Sequence, residues 1–215
     1  MHFSLTDLAA DIAQNGAESG ASLIELSMRE TAVPSAPIPV KFRFVIKDNG
    51  KGMSKETLNL AKDPFVTDGI KHPGRRVGLG IPFLIQTALD SGGGWRINST
   101  RPDNETAALS GGIGASTELP RPVGESGTIV EAWFDLNNLD SPPVGDIPGL
   151  FRMVLVFSGP KEVILRRIRK GVNGKSDLDY EVKKTEIADV LGGDLEDVTS
   201  LVLLGQYLRS LEDEQ

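Results

Sequence analysis

The chain has 215 residues, 39% of them apolar and 25% charged, a balance that suits a globular protein with its own core. It contains no cysteine, which excludes disulfides, thiolate metal sites and cysteine nucleophiles. No apolar run reaches the ~20 residues of a membrane span, the first residues do not read as a secretory signal, and a net charge of −7 argues against nucleic acid as a partner; the expected setting is the cytoplasm.

Ser4 suits an N-cap, and Leu5, Leu8, Ala9, Ile12 and Ala13 share one face of a helix expected to run to about Glu18 and stop at Gly20. Residues 23–28 alternate as a strand does, and 41–47 read as its hairpin partner across a proline-rich loop at 33–39. A turn at 48–52 leads into a helix capped by Ser54. Residues 63–80 form a long segment rich in Gly and Pro, of a length that marks functional or disordered loops. An apolar helix at 81–89 follows, with Phe83 and Leu84 on its core face, closed by Ser91-Gly92-Gly93-Gly94. Residues 95–99 and 128–136 read as late strands carrying Trp95 and Trp133, with 111–114 as a flexible hairpin tip between them.

Pro142, Pro143 and Pro148 mark a linker at 141–148, between a domain at 1–140 and a small C-terminal α/β region at 149–215. In that region 153–157 reads as a strand, 161–170 equally as helix or strand, 180–182 as a strand, and 185–191 and 195–211 as helices. The basic run Arg166-Arg167-Ile168-Arg169-Lys170 reads as the solvated side of a half-buried element or as a docking surface for an acidic partner. The acidic end, Glu212-Asp213-Glu214, reads as a solubilising terminus.

Three segments carry candidate chemistry. Asp11 and Asn15 lie four apart on the first helix and so project from one face. A carboxylate there suits a general base, and an amide oxygen suits Mg²⁺, although such a pair on an exposed helix is more often merely solvated. Asp48-Asn49-Gly50-Lys51-Gly52-Met53 follows a strand. Its carboxylate can accept the exocyclic amine proton of adenine, and Gly50 and Gly52 allow positive φ and close approach of a ligand. A helical reading after Met53 makes this a strand-to-helix corner rather than a hairpin. Arg75-Arg76-Val77-Gly78-Leu79-Gly80 opens the apolar helix, where unpaired amides and two arginines suit an anion.

In this order the segments resemble the sequence boxes of the GHKL ATPase superfamily, which includes gyrase, a heat-shock chaperone, histidine kinases and mismatch-repair ATPases. Residues 11–22 look like the N box, Asp48 to Met53 like the adenine box Asp-x-Gly-x-Gly-Met, and Gly78-Leu79-Gly80-Ile81 like the second glycine box. Asp63-Pro64-Phe65-Val66-Thr67 resembles the phenylalanine box that opens the ATP lid, and Gly127-Thr128 the Gly-Thr pair whose hydroxyl supports the adenine aspartate. The resemblance implies an α+β fold, a two-layer sandwich of a mixed sheet with helices on one face, here with a small C-terminal α/β appendage. It implies ATP and Mg²⁺ as ligands. Asp48, Gly50, Gly52, Met53, Phe65, Thr67 and Thr128 would surround the base and lid hinge. Arg75, Arg76, Gly78, Leu79 and Gly80 would hold phosphates, Asn15 the metal, and Asp11 would activate water or a hydroxyl.

Two positions depart from the pattern. The acid is the shorter Asp11 where hydrolysing members carry Glu, which implies slow or partner-dependent turnover; Arg76 replaces the first glycine of the phosphate loop. The histidines are His2 and His72, neither on a dimerisation helix, so histidine autophosphorylation is not expected. The whole chain also resembles small stand-alone histidine-kinase-like or anti-sigma-factor-like ATP-binding proteins of anaerobic bacteria, often encoded beside iron-only hydrogenase subunits. Two functions stay open. One is a phosphoryl-transfer enzyme in signalling, an ATPase or a serine/threonine kinase; the other is a non-catalytic ATP-dependent switch that docks on a regulatory protein partner.

Overall fold

The computed structural model describes residues 4–63, 80–115, 126–192 and 195–213. Helix α1 (Leu5–Glu18) begins where the Ser4 hydroxyl accepts the Asp7 amide, and Leu5, Leu8, Ala9, Ile12 and Ala13 are all buried. Strands β1 (Leu23–Ala32) and β2 (Val40–Asp48) form the expected antiparallel hairpin. Ser54 caps α2 (Lys55–Ala61) through the Thr57 amide, and α3 (Gly80–Asp90) matches the apolar helix. Leu84 is fully buried, whereas Phe83 is 36% exposed and does not belong to the core face.

Strand β3 (Gly94–Thr100) pairs with β4 (Thr106–Gly112) on one side and with β5 (Gly127–Asp135) on the other. Gly111 and Gly112, expected at a hairpin tip, are instead strand residues opposite Trp95 and Gly94. The glycines fit because a Cβ at Gly111 would press on the Trp95 indole at 3.2 Å.

A second correction concerns residues 153–157, read as a strand. Residues 153–155 complete α4 (Ile147–Leu155), which Asp146 caps through the Gly149 amide with a proline in its first turn. Of the stretch 161–170, residues 162–170 are β6 (Glu162–Lys170), which lies parallel beside β1 and antiparallel to β7 (Leu178–Lys183). Helices α5 (Lys184–Leu191) and α6 (Val198–Asp213) end the described chain. The result is a mixed seven-stranded sheet, ordered β4-β3-β5-β2-β1-β6-β7, in an α+β fold. Residues 162–183 therefore extend the same sheet.

Register explains the layers. Ile24, Leu26 and Met28 of β1 stand opposite Asp48, Ile46 and Phe44 of β2, and all are buried on the side where α1 and α4 pack. The other face is charged: Glu25 pairs with Lys47 at 3.1 Å and Arg166 with Asp179 at 3.2 Å. There Glu131 is clasped by Arg43 and Arg96, and the Trp133 indole donates to the Ile113 carbonyl at 2.7 Å. Among the described residues no helix is long and apolar enough to cross a membrane.

One charged cluster is buried on the helix side. Arg167, 1% exposed, donates to Glu30 at 2.9 Å and to Glu212 of α6 at 3.2 Å. Lys175 adds a bond to Glu30 at 2.8 Å; Arg169 and the Tyr180 hydroxyl bond Glu212 at 3.2 and 3.0 Å. Of the basic run, Arg167 and Arg169 are thus consumed inside the fold while Arg166 and Lys170 stay on the solvated side, and Glu212 is a structural acceptor rather than part of a solvated tail.

Candidate functional site

Asp48 ends β2, and directly opposite it stands Thr128 of β5, which in turn stands opposite Ser99 of β3. Residues paired across a sheet project to the same side, so a carboxylate and two hydroxyls form a row on the helix-covered face. Asp48 is 7% exposed. Its Oδ1 accepts the Gly50 amide at 2.9 Å and the Ser19 hydroxyl at 3.4 Å. Burial pushes the carboxyl above its usual range, and the bonds from Gly50, Ser19 and the Thr128 main chain only partly oppose this.

The corner after Asp48 is fixed at both ends. Asn49 accepts the Ser22 and Leu23 amides, each at 2.9 Å, and ties the corner to the head of β1. The Met53 amide donates to Ser99 Oγ at 2.8 Å, and the Ser126 hydroxyl to the Gly50 carbonyl at 2.9 Å. Of the two glycines expected to need positive φ, only Gly52 has it, at 64°. A Cβ at Gly52 would also run into the Thr100 carbonyl, and one at Gly50 into the Ser19 hydroxyl. Gly52→Ala is therefore expected to cost about 1–3 kcal/mol in urea unfolding and to shift Met53. Unchanged stability would show that the corner has other conformations available.

Helix α1 reaches this row through Gly16, where a Cβ would sit 3.3 Å from that of Asp48. One residue earlier Asn15 is exposed, and Asp11, a turn before it, is half-buried. Both face the start of α3: a Cβ at Gly80 would lie 3.5 Å from Asn15 Nδ2 and 3.5 Å from Asp11 Cβ. The structure thus brings together Asp11, Asn15 and Gly80 at one end, and Asp48, Gly50, Gly52, Met53 and Thr128 at the other, with α1 between. Phe65, Thr67, Arg75, Arg76, Gly78 and Leu79, and also His72, lie outside the described residues. Two open cavities of about 220 and 200 Å³ lie elsewhere, beside Glu30 and Arg167 and beside Arg43 and Trp133.

No family model matches the chain, and no curated protein matches it. Among solved structures, the ATPase domain of MutL from Aquifex aeolicus complexed with ADP is similar at 14% identity and a TM-score of 0.49, over 96% of this chain and 70% of that one. The N-terminal domain of a DNA repair protein is similar at 10% identity and a TM-score of 0.45; 82% of this chain matches about half (52%) of that one. Both likenesses are distant. The chemistry of the site comes from its own geometry.

Sequence reasoning missed Ser99, Ser19 and Gly16. Ser99 was visible only as a strand residue, and its place beside Thr128 depends on strand pairing that no local pattern encodes. Gly16, on α1, and Ser19, its C-cap, fall within the 11–22 segment that resembles the N box, but that resemblance gave neither of them a role of its own.

For a divalent cation, the fit turns on the donor set. Among the described residues no group of three or more His, Cys, Asp or Glu gathers. Mg²⁺ commonly takes only one or two protein oxygens and completes its shell with phosphate and water. The exposed amide of Asn15, next to the start of α3, suits that mode.

Proposed function

We propose that this chain belongs to the GHKL type and binds ATP with Mg²⁺ in the space between α1, the row Asp48–Thr128–Ser99 and the start of α3. The convergence of Asp48, Asn15 and Gly80 around one helix supports this most directly. Asp48 takes the adenine amine, with Thr128 beside it. The α3 N-terminus, with Gly78, Leu79, Arg75 and Arg76, receives the phosphates. The resemblance of 63–67 to the phenylalanine box assigns Phe65 and Thr67 to nucleotide binding, and Asn15 offers its amide oxygen to the cation. Titration calorimetry with ADP and Mg²⁺ tests the reading: saturable binding supports it, and no heat of binding refutes it.

The enzyme form of this proposal assigns Asp11 to activate a water or a partner's serine or threonine hydroxyl, in a signalling ATPase or a kinase of the anti-sigma-factor type. Phosphoryl transfer depends chiefly on positioning and charge neutralisation, so one misplaced carboxylate is felt strongly. Asp11→Asn is expected to lower transfer or hydrolysis about 100-fold or more, in line with the loss of a general base, while ADP affinity stays within about threefold. Equal rates for the variant and the parent would remove Asp11 from the mechanism.

The switch form draws on a different observation. The Leu5 and Thr6 amides at the start of α1 donate to the Pro143 and Val144 carbonyls, each at 2.9 Å, so the helix bearing Asn15 is tied to the entry of the C-terminal region. That region exposes Val190, Val198 and Val202, which suits a regulatory protein partner. In this form nucleotide shifts the population a partner recognises, and Asp11→Asn leaves partner control intact.

A further inference from the structure

The uncovered face of the sheet carries a cavity of about 200 Å³ that the nucleotide reading does not use. Alternation along β2 sends Phe42, Phe44 and Asp48 to the helix side and Lys41 and Arg43 to this one. Four cations gather there: Arg29 of β1 stands opposite Arg43, and Lys41 and Arg43 of β2 are joined by Arg96 of β3. Two carboxylates answer them, Glu131 opposite Arg96 and Asp135 opposite Lys41, so a chain of net charge −7 is locally positive at this spot. Glu131, 3% exposed, is engaged by both guanidiniums: Arg43 Nε lies 2.5 Å from its Oε1, and Arg96 Nε holds its Oε2. Among the described residues the terminal nitrogens of Arg43 make no hydrogen bond and Lys41 makes no ion pair, while Asp135 Oδ1 accepts the Asn137 amide at 3.0 Å. Like charges facing each other across two strands, as Arg29 and Arg43 do, cost stability until an anion joins them. The remaining walls are apolar. Ile38 and Trp133 are nearly buried, Trp133 is pinned by its bond to the Ile113 carbonyl at 2.7 Å, and Ile113 is 54% exposed at the rim.

We propose that this cavity is a second binding site, for a small carboxylate with an apolar body: Arg43 and Lys41 hold the carboxylate, and Ile38, Ile113 and Trp133 cover the rest. The guanidinium fork offers a carboxylate two parallel hydrogen bonds, and the lysine adds a point charge. A phosphate fits less well. It needs donors around several oxygens, whereas the donors here come chiefly from one strand and the other walls are hydrocarbon. The volume lies below the ~300 Å³ at which pockets for drug-sized ligands begin, which limits the body to one ring or a short branched chain. The site lies across the sheet from Asp48, so its ligand and a nucleotide do not compete.

Phenylacetate is the probe, with uncharged phenylacetamide and inorganic phosphate as controls, titrated into the full chain and followed by NMR of the indole N–H resonances. The chain has two tryptophans. Trp133 lines the cavity and Trp95 lies on the helix-covered face, and the resonance lost in Trp133→Phe assigns the pair. Phenylacetate is expected to shift the Trp133 resonance saturably, to leave that of Trp95 in place, and to bind about tenfold more tightly than either control. Arg43→Gln is expected to weaken it about tenfold or more, the scale of a hydrogen bond to a charged group. Lys41→Gln, which leaves the contact between Arg43 and Glu131 in place, is expected to weaken it about threefold. No shift at Trp133, or equal affinity for phenylacetamide or for phosphate, overturns the proposal. So does parent affinity in Arg43→Gln. Should Arg43→Gln not fold, Lys41→Gln decides, and parent affinity there overturns the proposal. Each of these results leaves the ADP titration untouched, so the two sites stand or fall separately.

Discussion

Asp48→Asn is expected to weaken ADP binding by about 100-fold or more without loosening the fold. The amide carbonyl can still accept from Gly50, as Asp48 Oδ1 does at 2.9 Å, but its NH₂ then faces the adenine amine. Two donors meet where an acceptor met a donor, and each 1.4 kcal/mol lost is about tenfold in affinity. The stability prediction has the opposite sense. Burial raises the folded-state pKa of Asp48 above the ordinary 3.8, so the folded chain takes up this proton more readily than the unfolded one. Ionised Asp48 therefore costs stability, a cost that sets in as pH rises from about 3.8 through the raised pKa and is constant above it. At pH 7 the variant should melt at the parent temperature or higher, and its advantage should vanish in acid. Calorimetric binding and a melting series across pH check both halves. Full ADP affinity in Asp48→Asn would end the adenine assignment.

Arg167→Met is expected to destabilise the chain by about 3–5 kcal/mol in urea unfolding, the usual cost of removing one member of a buried ion pair. Met approximates the length of the side chain, but Glu30, 2% exposed, loses its bond at 2.9 Å and Glu212 loses one at 3.2 Å. Burial pushes the Glu30 carboxyl up, yet bonds and charges from Lys175 and Arg167 outweigh it and hold the group below its ordinary 4.5. A depressed carboxylate contributes stability above its unfolded pKa and loses it as pH falls through the folded one. The gap between parent and variant should therefore narrow below about pH 4.5. A gap that stays constant down to acid would mean that packing, not charge, accounts for the loss. Glu30→Gln in the Arg167→Met background should recover part of the stability, because no buried charge is then stranded.

The elements that were legible in the sequence are those written in local chemistry. Ser4 and Ser54 cap helices as serines before apolar periods do, and the β1–β2 hairpin shows in alternation. The corner after Asp48 shows in two glycines that no other residue could replace without collision. What failed was ambiguous locally. The apolar stretch at 153–157 fits a buried strand as well as a helix, and the signals that decide, Asp146 and Pro148, were read as linker. Strand β4 ends in Gly111 and Gly112 where a strand usually shows β-branched residues, because the Trp95 ring and the close backbone at Gly93 leave no room there for a side chain. Arg167 keeps the burial alternation of β6, following Val163 and Leu165 inward, but places a charge where the pattern calls for an apolar residue, against acids more than forty positions away in the chain. The Asp48–Thr128–Ser99 row is likewise a product of register among three strands, and no single stretch contains it.

The parallel pairing of β6 with β1 has a practical consequence for anyone dividing this chain. A fragment cut after residue 148 would carry α1 and the Asp48 row intact, yet the full length of β1 would become a raw flank of unsatisfied amides and carbonyls. Beside it, Ile24, Leu26 and Met28 would lose the cover that Val163, Leu165 and α4 now give them. Such a piece would recruit strands from its own kind and precipitate, so soluble binding studies belong on the undivided chain.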